Sequence, residues 1–96
     1  MSTETIERTR ARGPGGDHDG RWNVIVLNDN HNTFEGVARA LSRTIPGVSF
    51  ERGLAFADRI HRGGLAIVWS GHRELAEHYW EALRAAGLTM APLEKS

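Results

Sequence analysis

Six consecutive polar residues, Asn28-Asp29-Asn30-His31-Asn32-Thr33, gather several side-chain acceptors in one short stretch. Asn and Asp side chains hydrogen-bond nearby backbone, so such a run cannot continue a strand and favours a turn or a helix cap. Held between a strand and a helix N-terminus, it can grip a small charged group; it can equally be a capped turn with no further task. The other side chain of interest is His61, in the last turn of a helical pattern. A lone histidine there is commonly a satisfied core residue or a partner of the helix dipole. Asp29 and His61 could converge as an acid-base pair if their elements pack together, but nothing supplies an oxyanion site or a second reacting group. The chain has no cysteine nucleophile, Gly-x-Ser-x-Gly elbow, phosphate loop or dinucleotide fingerprint. Of the histidines, His18 lies near the N-terminus and His72 and His78 fall on different helical faces, with no His-Glu-x-x-His spacing. The inventory is one for binding, without enzyme activity, metal or cofactor.

The elements that position these residues are legible from pattern. Trp22 to Leu27 is short, β-branched and bounded by turn residues, which predicts a strand. A helix follows from Phe34, capped by Asn32 or Thr33, with Glu35 complementing its dipole. Phe34, Val37, Ala38, Leu41 and Ile45 form its buried stripe, Arg39 and Arg43 its wet side, and Pro46-Gly47 its end. Ser49 caps a second helix over Phe50 to Arg62. There Leu54, Ala57 and His61 share one face, widened by Phe56 and Ile60, and Gly63-Gly64 provides the left-handed stop. Leu65 to Trp69 is an apolar run too short for a helix and reads as a central strand. A third helix spans Arg73 to Ala86, with Leu75, Ala76, Tyr79, Trp80 and Leu83 facing the core and Glu74, Glu77 and Glu81 on a wet stripe. Leu88 to Leu93 alternates weakly as a last strand, and Pro92 puts it at an edge. The order β-α-α-β-α-β predicts an α+β, two-layer sandwich: three helices on one face of a small three-stranded antiparallel sheet.

Composition sets the outer limits. A chain of 96 residues without cysteine is one domain at most, with no disulfide framework. Twelve basic and twelve acidic side chains cancel, leaving no electrostatic footprint for nucleic acid or an anionic membrane. No apolar run approaches the ~18 residues of a spanning helix, and the N-terminus lacks the apolar stretch of a secretory signal. The expectation is a cytoplasmic monomer. Residues 1–20 read as a disordered arm, with alternating charges and a Gly13-Pro14-Gly15-Gly16 break. Residues 21–96 form the folded domain.

The run Asn28-Asp29-Asn30-x-Asn32-Thr33-Phe34-Glu35 after an apolar strand, followed by Ile60-His61-x-x-Gly64-x-Ala66, resembles the ClpS family over about Trp22 to Lys95. Members are adaptors that bring N-degron substrates to the Clp ATP-dependent protease, and the family's element order agrees with the one derived above. The resemblance implies that Asn28, Asp29 and neutral His61 accept hydrogen bonds from the substrate's free α-amino group. It implies a side-chain pocket lined by Asn30, Asn32, Phe34, Val37, Ala57 and Ile60, with Thr89 in the place of a pocket leucine. Substrates would begin with Leu, Phe, Tyr or Trp. Phe34 takes the place of a methionine that gates the pocket against β-branched residues, and Ala57 that of a larger methionine. The implied partner is a Clp AAA+ ATPase, ClpA- or ClpC-type, with its ClpP peptidase; Glu74 and Glu77 are candidate ATPase contacts, and the arm is the segment engaged during delivery. The alternative is a regulator of the Clp ATPase that shares the fold without N-degron specificity.

Overall fold

Local capping chemistry fixes where each of the first two helices begins. In a computed structural model, which describes residues 20–96, the Thr33 hydroxyl accepts from the Gly36 N–H and opens helix α1 (Phe34–Thr44). The Ser49 hydroxyl does the same for the Arg52 N–H and opens α2 (Phe50–Gly63). Each such cap contributes about 1 kcal/mol. Gly64 ends α2 at φ 90°, a left-handed conformation that glycine adopts without penalty. The remaining elements are β1 (Trp22–Leu27), β2 (Leu65–Gly71), α3 (Arg73–Ala85) and β3 (Glu94–Lys95), so the chain runs β-α-α-β-α-β. The arm expected over residues 1–20 lies outside the described residues, Gly20 excepted.

The three strands form an antiparallel sheet in the order β2-β1-β3. This corrects the reading of Leu65 to Trp69 as a central strand: β1 is central and β2 is an edge. The apolar run suggested burial on both faces, yet only Ala66 and Val68 are buried, whereas Leu65 and Ile67 stay 49% and 46% exposed on the face away from the helices. β1 instead buries four consecutive residues, Asn23 to Val26. The side-chain oxygen of its one polar member, Asn23, accepts from the Ser70 hydroxyl at 2.8 Å. The register shifts between Val24 and Ile25, where β2 carries an extra residue, Val68.

One core lies between sheet and helices, built on Val24, Val26, Val37, Leu41, Ile45, Phe56, Ile60 and Leu83. Helix α2 presents Gly53, Phe56, Ala57 and Ile60 to it, so the buried stripe is rotated from the expected one. Leu54 is half-buried and His61 exposed. In α3 the stripe is narrower than expected: Ala76, Tyr79 and Leu83 are buried, Trp80 is half-buried, and Leu75 is 46% exposed. The Trp80 indole N–H donates to the Ala91 carbonyl at 2.7 Å, which lays the segment after α3 back against that helix. The last strand is shorter than the alternation suggested. Met90 bridges to Val26, and regular pairing resumes only at Glu94–Lys95, beyond Pro92, which has no N–H to give. There the Ser96 N–H donates to the Arg21 carbonyl at 2.9 Å.

Candidate functional site

The polar run after β1 is an ordered loop because one carboxylate organises it. Asp29 Oδ1 accepts from the His31 N–H at 3.0 Å and the Asn32 N–H at 2.8 Å. Oδ2 accepts from Asn32 Nδ2 at 2.7 Å and the Thr89 hydroxyl at 2.8 Å. Burial pushes the Asp29 carboxyl up, but these four hydrogen bonds outweigh it and hold the group well below the usual carboxylate range. The loop is tethered at three further points. The Asn28 N–H donates to the Gly64 carbonyl at 2.9 Å, Asn32 Nδ2 also donates to the Gly87 carbonyl at 2.9 Å, and the Leu27 N–H donates to the Thr89 carbonyl at 2.8 Å. Gly87 sits at φ 99°, which turns the chain out of α3 and brings Leu88 and Thr89 to the loop.

Between this loop and the α1–α2 pair lies a cavity of about 240 Å³. Helix α1 supplies Phe34 and Val37, α2 supplies Ala57, Ile60 and His61, and the end of β1 supplies Val26 and Leu27. The loop adds Asn28, Asp29, Asn32 and Thr33, and the segment after α3 adds Leu88 and Thr89. Val26, Val37, Ala57, Ile60 and Leu88 are buried and form an apolar base; Asn28, Thr33, Phe34 and His61 are exposed and ring the mouth. The imidazole of His61 meets the Phe34 ring edge-on, with centroids 5.4 Å apart. Phe34, expected in the buried stripe of α1, is 40% exposed because it borders this opening.

Of the residues the sequence nominated, the structure brings Asn28, Asp29, Asn32, Phe34, Val37, Ala57, Ile60, His61 and Thr89 around one cavity; Asn30 is exposed and outside its lining. Val26, Leu27, Thr33 and Leu88 were not nominated. Val26 and Leu27 lead into the polar run and Thr33 closes it, so adjacency could have found them, whereas Leu88 arrives only through the turn at Gly87. Glu74 and Glu77 lie on the exposed side of α3, away from the cavity, and Glu77 pairs with Arg73 at 3.1 Å. Among the described residues no hydrogen bond joins His61 to Asp29, no group of three or more His, Cys, Asp or Glu side chains could hold a metal, and no helix is long and apolar enough to cross a membrane. The arrangement is suited to holding a compact guest with an apolar body and a donor-bearing end.

Known proteins share this chain's sequence pattern and fold. Residues 17–95 match the family model described as ATP-dependent Clp protease adaptor protein ClpS. The ATP-dependent Clp protease adapter protein ClpS of Synechocystis sp. is 51% identical over 75 residues, covering 78% of this chain and 76% of that protein. The adapter protein ClpS of Thermosynechococcus vestitus is 49% identical over 77 residues, covering 80% and 82%. Among solved structures, Agrobacterium tumefaciens ClpS2 bound to L-phenylalaninamide superposes with a TM-score of 0.73 at 25% identity, covering 81% of this chain and 99% of that one. The chain belongs to the ClpS family of Clp protease adaptor proteins.

Proposed function

We propose that the cavity binds the first residue of a substrate protein, and that the chain delivers the substrate to a Clp AAA+ unfoldase of ClpA or ClpC type with its ClpP peptidase. The observation that carries this reading is the division of the cavity into an apolar base and an acceptor-bearing mouth. A free N-terminal residue with a bulky side chain is the matching guest: its ammonium has three donors and its side chain needs a dry pocket. L-phenylalaninamide, held by the related ClpS2, has those two parts.

At the mouth, the exposed Asn28 side chain and neutral His61 take the ammonium protons directly. Asp29 already accepts four internal hydrogen bonds, so its part is to fix the loop and supply negative charge close by. In the base, burying a Leu or Phe side chain against Val37, Ala57 and Ile60 contributes about 1.5–3 kcal/mol. The exposed Glu74 and Glu77 remain candidates for the ATPase contact, and residues 1–20 for the segment the unfoldase engages. Such an adaptor works in the cytoplasm, without catalysis of its own.

The test is a titration with peptides that differ only at the N-terminus. Peptides starting with Leu, Phe, Tyr or Trp are expected to bind. Acetylation should weaken them at least tenfold, because each hydrogen bond to a charged group contributes about 1.5–3 kcal/mol. Equal affinity for free and acetylated peptides would instead favour a regulator of the Clp ATPase without N-degron specificity.

A further inference from the structure

The cavity wall contains two polar side chains, Asn32 and Thr89, whose hydrogens are all committed elsewhere. Asn32 Nδ2 donates to Asp29 Oδ2 and to the Gly87 carbonyl, at 2.7 and 2.9 Å. Both partners are pure acceptors, so the orientation of the amide is fixed by chemistry. The single hydroxyl hydrogen of Thr89 goes to Asp29 Oδ2 at 2.8 Å. Asp29 in turn has each oxygen filled twice. What this part of the wall retains is acceptor capacity alone: Asn32 Oδ1 and Thr89 Oγ1 receive no hydrogen bond among the described residues. A hydroxyl that donates to a carboxylate is polarised and becomes a better acceptor.

An all-hydrocarbon guest would take water from these two oxygens and return nothing, whereas a guest carrying an O–H would restore a hydrogen bond. We propose that Asn32 and Thr89 make this pocket select tyrosine over phenylalanine at the substrate's first position, an inference that rests on the cavity being an N-terminal residue pocket. With the amine held at the mouth by Asn28 and His61, the phenol hydroxyl stands on the far edge of the ring. It then donates to the half-buried Thr89 Oγ1. The three side chains Asp29, Asn32 and Thr89 thus act as one unit: the carboxylate consumes the donors and leaves the wall acceptor-only.

The experiment measures binding of two peptides, identical except for Tyr or Phe at the first residue, to wild type, Thr89→Val and Thr89→Ser. In wild type the Tyr peptide is expected to bind about five- to tenfold more tightly, the worth of one net hydrogen bond. Thr89→Val, which keeps the shape and removes the oxygen together with its hydrogen bond to Asp29, should bring the ratio of the two affinities towards one even where both fall. Thr89→Ser should preserve the preference. Equal binding of Tyr and Phe to wild type, or a ratio unchanged in Thr89→Val, overturns the inference while leaving the N-terminal pocket intact. Failure of both peptides to bind wild type overturns the pocket as well. Should Thr89→Val lose its fold, the wild-type ratio and the Thr89→Ser comparison decide the matter.

Discussion

Gly53→Ala is expected to destabilise the protein and to loosen the cavity, although alanine is the better helix former. Gly53 is buried in α2 where that helix crosses α1. A Cβ built there would lie 2.7 Å from the Ala38 carbonyl oxygen, 2.8 Å from its Cα and 3.1 Å from its carbonyl carbon. These are backbone atoms, so no side chain can rotate away, and the helices must part by about 0.7 Å to reach ordinary contact at 3.4 Å. The substitution gains about 1 kcal/mol of helix propensity and incurs an overpacking cost of about 1–3 kcal/mol, here at the upper end. The net loss is about 1–2 kcal/mol, which lowers Tm by roughly 4–16 °C for a domain of this size. The two helices also carry facing parts of the cavity lining, Phe34 and Val37 against Ala57 and Ile60, so peptides with a small first residue should lose affinity before large ones do. Gly63→Ala is the control. It sits in the same helix with nothing within 4 Å of its Cβ and should be neutral or stabilising by up to about 1 kcal/mol. Thermal and urea unfolding of both variants make the comparison. Equal stability of Gly53→Ala and Gly63→Ala would refute a close backbone approach at Gly53.

Three further outcomes are expected. Phe34→Ala, by opening the mouth that Phe34 and His61 share, should admit peptides starting with Ile or Val; an unchanged order of first-residue affinities would make Phe34 an ordinary packing residue. The folded Asp29 carboxyl lies below its unfolded value of about 3.9, so its stabilisation is complete above that value and is lost as pH falls towards the folded one. Wild type should therefore lose its stability advantage over Asp29→Asn below about pH 4, and parallel acid-unfolding curves would count against this role. Deleting residues 1–20 should leave peptide affinity unchanged, since among the described residues the cavity lining runs from Val26 onward, but should impair degradation by the partner protease; undiminished delivery would remove the arm from the mechanism.

What was legible in the sequence was local. The strand Trp22–Leu27, the caps and the glycine stop are decided by neighbours within a few residues: the structure has the strand and the Ser49 cap where the pattern put them, chooses Thr33 over Asn32, and carries the second helix through Gly63 to stop at Gly64. Strand order was not legible, because it depends on which strand finds two partners. Leu65 and Ile67 look like core residues, yet they face away from the helices, while β1, with an asparagine as its second residue, is the buried strand. The Asn23–Ser70 hydrogen bond that permits this spans 47 positions. The same limit applies to the cavity. The polar run and His61 were visible from their types and from family resemblance. That Asp29 is held internally through Thr89, 60 positions away, was visible only in three dimensions. Leu75 failed as a core residue because α3 buries a narrow stripe, which a helical pattern alone reads too widely.

The hydrogen bond from the Ser96 N–H to the Arg21 carbonyl has a practical consequence. Both ends of the described chain lie side by side at the Trp22 end of β1, and the cavity opens at the Leu27 end, roughly 20 Å away at ~3.3 Å per residue. A fluorophore, affinity tag or surface tether attached at Ser96 therefore reports on guests without obstructing them. A short linker from Ser96 to Gly20, with new ends opened at the exposed Pro46-Gly47 turn, should give a circular permutant that keeps all three strands paired.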